Sequence, residues 1–244
     1  MMKLFLCLLI APLSAANFAF VQQTPGNTLS QAFPAANTAG NIIVVSAYTI
    51  FAANPTAVND TQGNTYTKVQ GQFSGEGDSI VMFWAPSIKA GLNTVTVTGG
   101  SGMTAIEYSS ANHSYYACPG VPGYGSLASV GTCSTCTVST PINFVSTEEV
   151  LVIFAGTVLV VPDYWTTSSG TIRYYGSNVG GGGITGGVMM GDDDQPSISS
   201  YGVLLQCPRF GSAGSRDGMF LSLTSAAGCT SHSGATTNAN KFIF

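Results

Sequence analysis

Charge is scarce in this chain: only 7% of its 244 residues are Asp, Glu, Lys or Arg, against about 25% in an ordinary globular protein. Lys68, Lys89, Arg173, Arg209, Arg216 and Lys241 are scattered, so sequence neighbours build no basic patch. That argues against nucleic acid and against anionic membrane surfaces as partners, since both select clustered Lys and Arg. Histidine is nearly missing, with only His113 and His232, which restricts imidazole metal sites and His-based catalysis. No helix of useful length is predicted. No apolar run is long enough to span a bilayer as a helix. The glycine-rich 180–187 segment has no Lys-Ser/Thr after it, so it is not a phosphate loop. No repeat recurs at a fixed period.

What is present is apolar, small and β-forming. Hydrophobic residues make up 45% of the chain, with 30 Gly and 11 Pro spread along it. That pattern fits many short strands joined by tight turns. Such a surface is covered by Ser, Thr, Asn and Gly rather than by ion pairs.

The strongest patterning lies between Val58 and Thr98. Asp60-Thr61-Gln62-Gly63-Asn64 is a turn, with Gly63 free to take positive φ and Asp60 able to accept from amides two residues on. Thr65 to Val69 then alternates around Tyr66, and Ser79 to Ala85 is a denser apolar strand ended by Pro86. A second turn over Lys89 to Asn93 leads into Thr94-Val95-Thr96-Val97-Thr98, a period-two strand with valines on one face and threonines on the other.

DTQGNTYT at 60–67, FWAPSIKAGLNTVTVT at 83–98 and IEYSS at 106–110 resemble the corresponding motifs of a family of secreted bacterial β-sandwich domains. FVQQ at 20–23, TAGNIIVV at 38–45, EEVLVIFAG at 148–156, DDQPSISSYGV at 193–203 and MFLSLTS at 219–225 fit the same family in order. The resemblance implies a secreted β-sandwich and transfers no functional residues, because the family has no agreed site. Two departures are Ser87, where the family usually has Asn, and a cysteine-bearing insert from about 112 to 137.

Taken in order, residues 1–16 read as a secretory signal peptide, with Lys3, an apolar Leu4–Ile10 core and Ser14-Ala15-Ala16 as the cleavage site. Its loss leaves six basic against eleven acidic residues, a net charge of −5. Residues 17–244 are expected to form a single all-β domain, a two-sheet antiparallel β-sandwich of jelly-roll or immunoglobulin-like type. Ile42 to Phe51 reads as a central strand covered on both faces. In Met103 to Ser109, Glu107 points away from the face of Ile106 and Tyr108 and is expected to meet solvent. The 112–137 insert reads as a long loop.

Five cysteines remain after signal removal. Cys207 is expected to pair with Cys229, and Cys118 with Cys133 or Cys136, leaving one thiol over. A zinc site of Cys118, Cys133, Cys136 and His113 is the alternative. Asp192, Asp193 and Asp194 read as a solvated acidic turn. Ca²⁺ is the one ion this triplet would suit, and no other cofactor is expected. Ser79 with His232 and Asp217 lacks the strand-turn-helix context of an esterase. Glu148 and Glu149 face opposite ways on a strand, so they do not flank one bond. Asn59-Asp60-Thr61 and Asn112-His113-Ser114 match the N-glycosylation acceptor pattern.

Loop aromatics are the remaining candidates: Tyr115, Tyr116, Tyr124 and Trp165, together with Tyr174-Tyr175, where adjacency on a strand puts one ring inside and one outside. The function expected is a secreted or surface-displayed, non-enzymatic binding or adhesion module for carbohydrate or another extracellular surface. The alternatives are a self-associating subunit of an extracellular fibre or coat, and a metal-dependent hydrolase using the Asp192–Asp194 segment.

Overall fold

The computed structural model describes residues 18–50, 52–69, 78–111, 113, 115–117, 124–128, 135–141, 144–146, 150–158, 166–167, 170–179, 186–195, 202–208, 215–224 and 229–231. The expected signal peptide, Trp165, Cys118, Cys133 and His232 lie outside them. In the first half the strands are β1 (Phe18–Gln23), β2 (Ser30–Ala32), β3 (Ile42–Ile50), β4 (Ala57–Asp60), β5 (Thr67–Lys68), β6 (Asp78–Ala85), β7 (Thr94–Thr98) and β8 (Gly102–Ser110). The second half adds β9 (Tyr116–Ala117), β10 (Tyr124–Ala128), β11 (Thr135–Pro141), β12 (Phe144–Ser146), β13 (Val150–Val158) and β14 (Thr166–Thr167). Then come β15 (Thr171–Val179), β16 (Gly186–Gln195), β17 (Gly202–Pro208), β18 (Ser215–Thr224) and β19 (Cys229–Ser231). No helix occurs among the described residues, so the all-β expectation holds.

Every ladder is antiparallel. A five-stranded sheet runs β1-β8-β3-β6-β5, and a six-stranded one runs β10-β18-β13-β16-β15 with β9 on β18. Smaller sheets are β2-β7-β4, β11-β17-β14 and β12-β19.

Side-chain parity explains how the layers stack. On one face of the five-stranded sheet, Ile42 and Val44 of β3, Ile80 and Met82 of β6, and Ile106 and Tyr108 of β8 share a core with Leu151, Ile153, Met190, Met219, Leu221 and Leu223 of the six-stranded sheet. On the other face, Ile43, Val45, Val81, Phe83, Met103 and Ala105 pack with Val58 of β4 and Val95 and Val97 of β7. The central sheet is therefore covered twice, and all nine residues of β3 are buried, as its unbroken apolar run implied. Each large side chain so buried contributes about 1.5–3 kcal/mol of transfer free energy. The first core joins residues from both halves of the chain.

The turn at Asp60 forms as its sequence dictates. Gly63 takes φ 65°, Asp60 Oδ1 accepts from the Asn64 amide at 2.9 Å, and Asp60 Oδ2 accepts from Asn64 Nδ2, Tyr66 Oη and Asn93 Nδ2. In β7 the valines are buried and Thr96 and Thr98 exposed.

Two expectations are corrected. The 112–137 insert is not one long loop: β9, β10 and the start of β11 lie within it, and pairing with β18 and β17 recruits them into sheets. Asp192, Asp193 and Asp194 do not form a turn but sit in β16, opposite Ile153, Val152 and Leu151 of β13. Asp192 and Asp193 are buried, because β13 and β15 flank β16 on both sides.

Candidate functional site

Three carboxylates organise the polar interior. Glu107 keeps the parity read from sequence, but the face it points to is not solvent. It is fully buried, because the segment after Phe33 folds over it. Glu107 Oε1 accepts from Asn41 Nδ2 at 2.6 Å and the Thr38 amide at 2.9 Å. Oε2 accepts from Gln22 Nε2 and Asn37 Nδ2, each at 2.6 Å. Four donors on two oxygens satisfy the carboxylate without a counter-ion, which is what a buried charge requires. Asn37 is turned to serve it, and its own buried Oδ1 has no partner among the described residues. Gly40 closes this segment at φ 85°, with the His113 ring 2.8 Å from where a Cβ would stand. Only glycine fits there without strain.

Asp192 is the second. Arg173 donates to it twice, Nε to Oδ2 at 2.7 Å and Nη2 to Oδ1 at 3.0 Å, and Tyr108 Oη donates to Oδ2 at 2.8 Å. Burial pushes the Tyr108 phenol far above its ordinary range, and the neighbouring carboxylate adds to this, so Tyr108 remains a donor. The Asp192 hydrogen bond raises the Arg173 guanidinium further. Asp60 is the third. Burial, its largest single influence, pushes its carboxyl up, but the combined hydrogen bonds from Asn64, Asn93 and Tyr66 outweigh it and hold the carboxyl below the usual carboxylate range.

The Asp192 network lies where the outer strands of two sheets meet. β1 ends the five-stranded sheet and β15 ends the six-stranded one. Each breaks register at this point, β1 between Phe20 and Gln22 and β15 between Ile172 and Tyr174. An irregularity at an edge re-aims side chains, and here Arg173 Cζ stands 4.5 Å from the Phe20 ring centroid. The same ring meets Tyr108 edge-on at 6.4 Å. Phe20 of this pair is 36% exposed, and Val21 on β1 and Tyr175 on β15 are 40% and 41% exposed. Arg173 Nη1 has no hydrogen-bond partner among the described residues.

Of the aromatic candidates from sequence, Tyr115 is not an exposed loop ring. It is buried against Phe18 and donates through its hydroxyl to the Tyr108 carbonyl at 3.2 Å. Tyr116 stands opposite Thr224 and Tyr124 opposite Met219, both on β18. Tyr174 packs on the core while Tyr175 is exposed, the one-in, one-out arrangement adjacency demanded. Phe20 and Arg173 were missed: they lie in different halves of the sequence and meet only through sheet packing. The alternation of β1 was the available signal, since it gives Phe20 and Phe18 the same parity with no second polar face.

No group of three or more His, Cys, Asp or Glu side chains is placed to hold a metal ion among the described residues, and no disulfide is seen among the described side chains. No described helix is long and apolar enough to cross a membrane. Comparison with family models, with curated proteins and with solved structures finds no match.

Proposed function

We propose that this protein is a secreted or surface-displayed, non-enzymatic module that binds carbohydrate at the seam between β1 and β15. The observation that carries this reading is the cation–π contact of Phe20 on β1 with Arg173 on β15, on two strands that also carry the exposed side chains of Val21 and Tyr175. Aromatic faces take up the apolar C–H surface of a sugar ring, and a guanidinium with a spare N–H supplies a donor for its hydroxyls. The scarcity of charge elsewhere leaves hydroxyl and amide groups as the remaining surface chemistry, which suits a neutral ligand. Glu107, Asp60 and Asp192 have their oxygens engaged by donors from this chain. They are thus scaffold groups in this reading rather than acids or bases for chemistry. The register breaks of β1 and β15 also disfavour edge-to-edge strand addition, so the binding reading is preferred to the fibre one.

The test is a screen of the secreted protein against immobilised glycans, with Phe20→Ala/Tyr175→Ala alongside. Binding that the double variant loses while it still melts cooperatively supports the seam. Binding that the variant retains removes it.

A further inference from the structure

The antiparallel ladder between β11 and β17 runs in unbroken register from Thr135↔Pro208 to Pro141↔Gly202, and within it Cys136 stands directly opposite Cys207. Cys229, the partner expected for Cys207, lies in another sheet, on β19 opposite Ser146. Residues opposed in an antiparallel ladder have Cα atoms about 4.5 or 5.5 Å apart, and disulfides bridge Cα separations of about 4.4–6.8 Å. Both kinds of opposed pair fall inside that window. Two cysteines meet at one rung of a chain that has only six.

We infer that Cys136 and Cys207 form a disulfide across the β11–β17 ladder. The bridge ties the cysteine-bearing insert to the C-terminal quarter of the chain. It forms by thiol–disulfide exchange: one thiolate attacks an acceptor disulfide, and the second then displaces the acceptor thiol. Two protein thiols become one S–S bond, two protons leave, and the acceptor disulfide takes two electrons and departs as two thiols. Secretion into an oxidising compartment supplies such an acceptor. The pairing leaves Cys118, Cys133 and Cys229 as the other thiols of the mature chain.

The test equilibrates the full mature chain with a mixture of reduced and oxidised glutathione, blocks free thiols with iodoacetamide, and maps the linked peptides by mass spectrometry. Trypsin alone separates the main possibilities, since Cys207 falls in peptide 174–209 and Cys229 in 217–241, while Cys118, Cys133 and Cys136 share 90–173. The expected product joins 90–173 to 174–209, and fragmentation of that species assigns the link to Cys136. Cys136→Ser is expected to leave Cys207 open to alkylation, and Cys207→Ser to do the same for Cys136. Reduction of the parent is expected to lower its melting temperature by several degrees. A link from Cys207 to Cys229, a link from Cys136 to Cys118 or Cys133, or alkylation of both Cys136 and Cys207 in the parent overturns the inference. The peptide map is made on the parent, so it decides even where a variant fails to fold.

Discussion

Asn41 Nδ2 donates to Glu107 Oε1 at 2.6 Å across 66 residues of chain, tying the entrance of the central strand β3 to the neighbouring strand β8. The same carboxylate holds Gln22 of β1 and the backbone of Thr38. One buried charge thereby fixes the ends of three adjacent strands.

Removing that charge is expected to be costly. Glu107→Gln replaces an acceptor oxygen with an NH₂ group facing N–H donors, and the destabilisation is about 3 kcal/mol. Equilibrium urea unfolding of parent and variant measures it. A change below about 0.5 kcal/mol, the usual surface value, would show that the network is not a structural lock.

Asp60 sets an acid limit. Its carboxyl is held below the usual range, so its contribution is complete above the unfolded value of about 3.9 and is lost as pH falls through the lower folded value. The stability difference between parent and Asp60→Asn is therefore expected to be constant from about pH 5 upward and to shrink below about pH 4. Urea midpoints across that range check it. A difference that grows on acidification would reverse the assigned shift.

Arg173 and Asp192 form a bidentate pair, with Asp192 buried and the Arg173 side chain 29% exposed. Arg173→Ala leaves a buried carboxylate with Tyr108 as its remaining donor, at an expected cost of about 2 kcal/mol, less than for a fully desolvated pair. In a double-mutant cycle with Asp192→Ala the two changes are expected to couple by about 1 kcal/mol or more. Additive effects would mean that the pair does not tie the edge strand β15 to its neighbour β16.

Ser87 stands at φ 53°, in the left-handed region that Asn tolerates better than Ser. Ser87→Asn is expected to stabilise by about 0.5 kcal/mol, and Ser87→Val to destabilise by about 1 kcal/mol or more. Thermal melts of the two variants order them. The reverse order would contradict a left-handed backbone at this position.

The fold was largely legible because its signals are local. Val95 and Val97 alternate with threonines, Ile42 to Ile50 is apolar throughout, and Asp60-Gly63-Asn64 carries its turn in five residues. Parity gave the relative direction of Glu107 correctly. It could not say what lies on each side, and Asn37 and Asn41, which make that side an interior, are 70 and 66 residues away. Asp192 misled for the same reason, since three adjacent carboxylates read as solvated until Arg173 and Tyr108, 19 and 84 residues distant, supply donors. The seam between β1 and β15 depends on which edges meet, and edge pairing is a property of sheet order that no stretch of sequence encodes alone.

Glycan-array binding by three proteins tests the central claim most directly: the parent, Phe20→Ala/Tyr175→Ala, and Tyr116→Ala/Tyr124→Ala. Selective binding by the parent is expected, weakened at least about tenfold in the first variant, as a loss of about 1.4 kcal/mol implies, and retained in the second. No binding by a folded parent, or loss only in the Tyr116/Tyr124 variant, would contradict a carbohydrate site at the β1–β15 seam.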